Sequence, residues 1–381
     1  MKIENWYSSN YELHLKGRYI TLQSIFPLLD MYKLDYEISV SGISEMGKDI
    51  PLIKIGNGPK IVLGWSQMHG NESTTTKAIF DFLKFISQKE VFQSEIRQFL
   101  ETYTFYIFPM LNPDGAELYT RENANEIDLN RDAQNLSQSE SRCLRDTFER
   151  LKPSLCLNLH DQRSIYGFKN GKSAAVSFLS PAADANRKVT EARKIAMSQI
   201  AKMSHFLQKY IPGQIGRYDD SFNNACVGDT FQKAGVPTIL FEAGHYGQDY
   251  QREKTREYIF YSLLSLFDII EVQKKSSDHK DYFDIPENLK NYNDFILRNV
   301  KIPNERRNVS IAIQYTEVLK NNEIDFVPVI DEIGKLDTKF GYKEVDAKGS
   351  EILTDSQENL TVGQNILRIV DKFDKSTIYF Q

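Results

Sequence analysis

The sequence predicts an α/β sandwich followed by a small β-rich module, and three observations carry that expectation. Four short apolar runs read as strands, segments of helical periodicity lie between them, and the texture of the chain changes after Val272. The strands are Lys60–Trp65 (KIVLGW), Tyr103–Met110 (YTFYIFPM), Leu155–His160 (LCLNLH) and Thr238–Glu242 (TILFE). Their continuous apolar character suggests burial on both faces, as in the middle of a largely parallel sheet.

The helices follow from spacing. Thr75–Ser87 places Ile79, Phe80, Leu83 and Phe85/Ile86 three and four residues apart, and Ser139–Leu151 behaves similarly. Val189–Tyr210 puts Ala192, Ile195, Ala196, Ile200, Met203 and Phe206 on one side. Each pattern is that of a helix burying one face. Strands alternating with helices give the α/β class. Gln273–Asp281 (QKKSSDHKD) is polar and reads as a linker, and from Val309 onward short alternating runs are separated by Asn-Asn, Gly and Asp-Lys turns. The expected division is a catalytic domain over 1–275, a linker over 276–299 and a β-rich module over 300–381.

Composition narrows the function. The 381 residues are 41% hydrophobic and 26% charged, enough for a globular core. Lys and Arg number 47 against 52 Asp and Glu, a net charge of -5 that argues against a nucleic-acid partner. The oiliest run, Tyr258–Val272, contains Asp268, Glu271 and two serines and is too short to span a bilayer, so no membrane partner is expected. Met1–Trp6 lacks the apolar stretch of a secretory signal. Cys143, Cys156 and Cys226 are scattered without CxxC spacing, which suits reduced thiols and a cytoplasmic location.

Six histidines are present, and His69 and His160 stand just past predicted strand ends, where α/β enzymes place their sites. Glu72 follows His69 by three residues. Two imidazoles and a carboxylate suit Zn²⁺ and leave one position for water. Taken singly, each histidine reads as an ordinary loop or core residue, and Asn112-Pro113-Asp114-Gly115 as a turn. Arg121 and Arg131 bracket RENANEIDLNR, and such cations could serve a substrate carboxylate or an oxyanion. Glu242, at the tip of an apolar strand, is placed to act as a base.

The ordered series HGNE, NPDG, RENANEIDLNR, NLH and FEAG resembles the zinc carboxypeptidase family of metallopeptidases, over roughly residues 35 to 270. The upstream segment SGISEMGKDIPLIKIG is similar to the strand pair that opens those catalytic domains. The resemblance implies a three-layer sandwich with a mixed, mostly eight-stranded sheet. It implies Zn²⁺ held by His69, Glu72 and His160, and Glu242 as general base. It further implies Arg121 polarising the scissile carbonyl, Asn130 and Arg131 gripping the substrate's terminal carboxylate, and Asp128 orienting His69. The implied reaction is hydrolysis of a peptide bond near a free C-terminus.

Departures from the family pattern are few. Glu126 stands where many members have Gly, so the loop before Asp128 is expected to take a different path. Tyr218 is the nearest match to the tyrosine that closes over substrate, with Tyr246 competing. Asp229 matches a pocket acid and Gly228 the floor of the side-chain pocket, which favours neutral side chains. The pattern begins within about forty residues of Met1, so a zymogen is not expected. HGNE and DLNR also occur in the aspartoacylase and succinylglutamate desuccinylase deacylases, which carry a C-terminal β module. The alternative substrate is therefore an N-acyl amino acid.

Overall fold

A computed structural model describes residues 2–270, 278–302, 307–354, 360–366, 368–371 and 377–379. The chain forms two compact units, one of residues 1–162 and 174–288, the other of residues 163–173 and 289–381.

The first unit is built on a mixed eight-stranded sheet. Its strands are β1 (Glu37–Ile43), β2 (Asp49–Ile55), β3 (Lys60–Ser66), β4 (Tyr103–Phe108), β5 (Leu155–Asp161), β7 (Val176–Leu179), β8 (Ile215–Arg217) and β9 (Thr238–Ala243). The two-residue strand β6 (Tyr166–Gly167) belongs to the second unit. The spatial order is β1-β2-β4-β3-β5-β9-β7-β8. The four strands expected from apolar runs occupy the centre and run parallel, β4 beside β3, β3 beside β5 and β5 beside β9. The segment SGISEMGKDIPLIKIG turns between β1 and β2, an antiparallel pair. Short β7 and β8 left no periodic signal in sequence.

Helices cover both faces. They are α1 (Ile3–Asn10), α2 (Leu22–Tyr32), α3 (Thr74–Ser87), α4 (Gln93–Thr102), α5 (Pro113–Leu118), α6 (Ser139–Leu151), α7 (Glu191–Leu207), α8 (Val227–Lys233) and α9 (Glu253–Leu266). One apolar cluster joins α1, α2, α3, α7 and α9 to Leu157, Leu159, Ile239 and Phe241. The other joins α6 and α8 to Trp65, Phe108 and Cys156. Because side chains alternate along a strand, Trp65, Asn158, His160 and Glu242 all point to the α6/α8 side. In α7 the buried stripe runs through Ala192, Ala196, Met197, Ile200, Met203 and Leu207, whereas Ile195 is 51% exposed. The stripe is therefore rotated by about one residue from the expected face.

The topology positions the site. From β3 the chain crosses through α3 to β4 on one side of β3, and from β4 it returns through α6 to β5 on the other side. Strand order reverses between β3 and β5, and such a reversal opens a crevice at the carboxyl ends of the strands. His69 and His160 lie there.

The second unit contains a sheet of β11 (Tyr292–Val300), β12 (Val309–Lys320), β13 (Glu323–Gly334) and β14 (Phe340–Asp346), in the order β13-β12-β11-β14, and β10 (Leu289–Lys290) pairs with β6. Asn321 and Asn322 join β12 to β13 with φ of 53° and 64°, the double left-handed turn that hairpins favour. Phe295, Leu297, Ile311, Ile313 and Ile330 form its core. Within the stretch expected as linker, a short 3-10 helix spans His279–Asp284, and Tyr292–Val300 is a strand carrying the apolar run Phe295–Leu297. Gln273–Ser277 of the polar stretch, and Leu367 and Lys372 of the last run, lie outside the described residues.

Candidate metal centre

The loop after β3 is held by backbone contact between two sequence motifs. A Cβ on Gly70 would fall 1.9 Å from the carbonyl carbon of Gly115, and one on Gly115 would fall 2.4 Å from the carbonyl oxygen of Glu122. Glycine at both places is a demand of close approach. NPDG does more than turn the chain: Asn112 caps α5 by accepting from Gly115 N at 2.8 Å, and its Nδ2 donates to Met68 O at 3.1 Å and Glu122 O at 3.2 Å. Asp114, buried, accepts from Ser44 Oγ and Met46 N, each at 3.0 Å. The turn thus ties HGNE to RENAN.

Gln67, two residues before His69, has φ of 48°, the left-handed region that side-chain-bearing residues rarely enter. Its Nε2 donates to Ile20 O and Gly70 O at 2.8 Å each, and Thr76 Oγ1 donates to its Oε1 at 2.9 Å. Ser73 Oγ donates to Arg18 O at 2.6 Å. The N-terminal segment therefore braces the loop.

The three expected ligands converge. His69 Nδ1 is 2.8 Å from Glu72 Oε1, His160 Nδ1 is 2.8 Å from Glu72 Oε2, and the two Nδ1 atoms are 3.0 Å apart. All three side chains are buried, and among the described residues this is the group of His, Cys and acidic residues that could hold a metal ion. Lone pairs of two imidazoles and a carboxylate directed at one point repel unless a cation lies between them, so the donor set fits Zn²⁺. His69 Nε2 lies 3.1 Å from Asp128 Oδ1, a contact compatible with the tautomer that leaves Nδ1 free to ligate. Asp161 N donates to Glu72 Oε2 at 3.1 Å, and Asp161 in turn accepts from Thr74 N and Oγ1.

Charges follow the geometry. Burial opposes ionisation of Glu72, but His69 and His160 hold its carboxyl well below the ordinary range. Glu242 is the register partner of His160 across β5 and β9. Burial, then the Glu72 and Asp161 carboxylates, push its carboxyl well above the ordinary range. Arg121 bridges the cluster, donating from Nη1 to Glu72 Oε1 at 3.3 Å and from Nε and Nη2 to Asp128 Oδ2 at 3.1 Å each.

Of the remaining expected residues, Asn130 connects to this centre through Asp128. Asn130 N donates to Asp128 Oδ1 at 2.8 Å, while Asn130 Oδ1 accepts from Val227 N at 3.2 Å. Arg131 is exposed, with Nη1 on Asn130 O at 3.0 Å. Tyr218 is half-buried, its hydroxyl donating to Gln162 Oε1 at 2.9 Å, two residues from His160. Tyr246 instead packs against Tyr258 in the core on the other face of the sheet. Glu126 has φ of 58°, in the left-handed region that glycine enters most readily. Sequence reasoning missed Gln162 and Arg252; Arg252 Nη1 donates to Ala243 O at 2.6 Å and Gly244 O at 2.8 Å, just past Glu242. Neither residue sits in a motif, so the sequence carries no signal for them.

With this geometry described, comparison with known proteins is informative. Residues 28–255 match the family model of zinc carboxypeptidases. The chain belongs to the zinc carboxypeptidase family, whose metal is Zn²⁺. Carboxypeptidase 2 of Trichophyton tonsurans is 26% identical over 99 residues, which are 26% of this chain. The chain spans 18% of the length of that relative. Two crystal structures share the fold. A metallo-carboxypeptidase from Burkholderia cenocepacia has 16% identity and a TM-score of 0.51, over 65% of this chain and 69% of that one. Bovine thrombin-activatable fibrinolysis inhibitor has 14% identity and a TM-score of 0.51, over 66% and 96%. The eight-stranded mixed sheet is thus that of the family, with a further β-rich sheet after it. Among the described residues no helix is long and apolar enough to cross a membrane.

Proposed function

We propose that the chain is a zinc-dependent metallocarboxypeptidase that hydrolyses the amide bond beside a free C-terminal carboxylate. One observation carries this reading: Glu242 stands in register with His160, facing a buried His-Glu-His group whose ligand atoms lie within 4.8 Å of one another. Zn²⁺, when bound by His69, Glu72 and His160, supplies the Lewis acidity that makes water nucleophilic near neutral pH. Glu242 takes the proton of the attacking water on a carboxylate oxygen and passes it to the leaving nitrogen. The Arg121 guanidinium, held by Asp128 and Glu72, stabilises the developing oxyanion. Asn130 and Arg131 grip the substrate carboxylate, and Tyr218 closes over the bound residue. The free cysteines support a reducing, cytoplasmic setting.

The β-rich second unit favours a second reading, an N-acyl amino acid deacylase, in which the same residues hold the acid product. The test is hydrolysis by the zinc-loaded protein of peptides with free and amidated C-termini beside N-acyl amino acids. Free-ended peptides should be cleaved and amidated ones spared. Turnover of N-acyl amino acids alone would replace the peptidase by the deacylase. Glu242→Gln should retain stoichiometric zinc and lose roughly 10²–10⁴-fold in kcat; full activity would remove Glu242 from the mechanism.

A further inference from the structure

Among the described residues no hydrogen bond holds the Glu242 carboxylate; the charges of Glu72, Asp161, Arg121 and Arg252 act on it instead. Its aim is therefore set by the backbone that carries it, the end of β9. That end is clamped from three sides. Gly244 N donates to Ala175 O at 2.8 Å, and Gln162 N donates to Ala243 O at 2.9 Å. A Cβ on Gly244 would fall 2.3 Å from Ala174 O and 2.4 Å from Gln162 Nε2, so only glycine fits between these neighbours. The third side is Arg252, whose Nη1 donates to Ala243 O at 2.6 Å and to Gly244 O at 2.8 Å, the two carbonyls that follow Glu242.

The base from which Arg252 reaches is itself fixed. Arg252 is buried and precedes α9 with φ of 60°, a left-handed backbone that a side chain strains. Such strain persists only where the surroundings over-determine it. Here they do so through Lys77 of α3, which is fully buried. Its Nζ donates to Gln251 O at 2.9 Å and to Glu253 Oε1 at 2.7 Å, the residues on either side of Arg252. Glu253 Oε1 also accepts from Gly17 N at 3.1 Å, and Glu253 Oε2 from Arg256 Nη1 at 3.0 Å. Buried lysines and arginines are rare in protein interiors. Lys77 and Arg252 both brace the stretch behind Glu242.

We propose that Arg252 is a positioning residue for Glu242: from the fixed start of α9 it holds the Ala243 and Gly244 carbonyls and so keeps the carboxylate facing the His69–Glu72–His160 group. The inference rests on the reading of Glu242 as general base. The contacts run through the backbone of β9 and bypass Asn130, Arg131 and the three ligands. Loss of the Arg252 guanidinium therefore slows the chemical step and leaves substrate affinity and zinc content in place, the signature of an interaction that matters in the transition state. A misplacement of about 1 Å costs roughly 100-fold in rate.

The experiment compares Arg252→Met, Arg252→Lys and Arg252→Gly with the parent, all zinc-loaded, by kcat and KM on a free-ended peptide, by metal analysis and by crystallography. Arg252→Met should lower kcat about 10–100-fold, with KM changed by no more than about threefold and zinc stoichiometric. Arg252→Lys keeps one charged donor and should recover part of the loss. Arg252→Gly relieves the left-handed backbone yet lacks the guanidinium; it should match Arg252→Met, which separates the side chain's role from that of the helix start. In the crystal of either variant, Glu242 should be displaced or occupy more than one conformer, with the three ligands unmoved. Undiminished kcat in the folded variants, a loss confined to KM or zinc, or an unmoved Glu242 would overturn the inference. If Arg252→Met does not fold, Arg252→Lys and Arg252→Gly decide by the same measures. A fully active Glu242→Gln, or a parent that hydrolyses nothing, would refute the proposed function instead. The crystals then decide alone: a displaced Glu242 upholds the positioning role and an unmoved one refutes it.

Discussion

Gly70 of the HGNE loop rests directly on Gly115 of the NPDG turn, close enough that a single added carbon would sit 1.9 Å from a backbone carbon. No real contact is that short, so Gly70→Ala must push the two loops apart. His69 and Glu72 flank the displaced position. Zinc affinity should fall at least about tenfold, since small shifts of ligands are costly, and the thermal midpoint should drop. Zinc titration and a melting curve check both; unchanged zinc affinity would mean that the loops can separate without disturbing the ligands.

Asp128→Asn keeps shape and removes charge. The interaction 3.1 Å from His69 Nε2 weakens, and with it the tautomer that frees Nδ1. Loss of such a support typically costs ~10–100-fold in metal affinity. Competition with a chelator measures it, and an undiminished affinity would show that Asp128 does not orient His69.

Asp229 gives a pH signature. Burial raises its carboxyl from an ordinary 3.8 to about 6, against the hydrogen bond it accepts from Asn223 N. The folded chain therefore binds this proton more tightly than the unfolded chain. Between pH 3.8 and about 6 its contribution to stability falls as pH rises, and above that window the cost of the buried charge is complete. That cost is at most about 3 kcal/mol. Asp229→Asn should accordingly be more stable than the parent at pH 7 and no more stable at pH 4. Denaturant unfolding at the two pH values tests the difference; a constant gap would mean that the carboxyl titrates normally.

Glu126 occupies a left-handed backbone position at φ of 58°. Glycine adopts that conformation without the ~1–2 kcal/mol that a side chain costs. Part of the gain is offset by the freer unfolded chain, so Glu126→Gly should stabilise by about 0.5–1 kcal/mol. A reduced stability would indicate that the exposed Glu126 side chain makes a contact worth more than the strain.

Much of this was legible in the amino-acid order. The central strands announced themselves because strands buried on both faces must be apolar throughout, and His69, His160 and Glu242 stood at their ends. Position of the ligands relative to one another was not legible, since it depends on the strand reversal between β3 and β5. Glu126 illustrates a different limit: its left-handed turn, closed by a hydrogen bond from Glu126 N to Asn123 O, is one that a residue with a side chain does not announce in sequence. The N-terminal thirty residues gave no functional signal at all. Their anchor is the buried pair Arg256–Asp81, with Nε to Oδ2 at 2.7 Å and Nη2 to Oδ1 at 2.6 Å, joined by Arg256 bonds to Leu15 O and Glu12 O. Ions 175 positions apart in sequence read as two surface charges until the fold brings them together.

The brace formed by Arg18 O and Ile20 O has a practical corollary. A chain trimmed to start at residue 28, where the family match begins, would retain every motif and yet lose the carbonyls that Ser73 and Gln67 lean on. Gln67 would be free to relax out of its unfavourable backbone state, and His69, two positions on, would drift with it. Homology-guided pruning of this protein would thus discard the clamp that keeps its first imidazole in place.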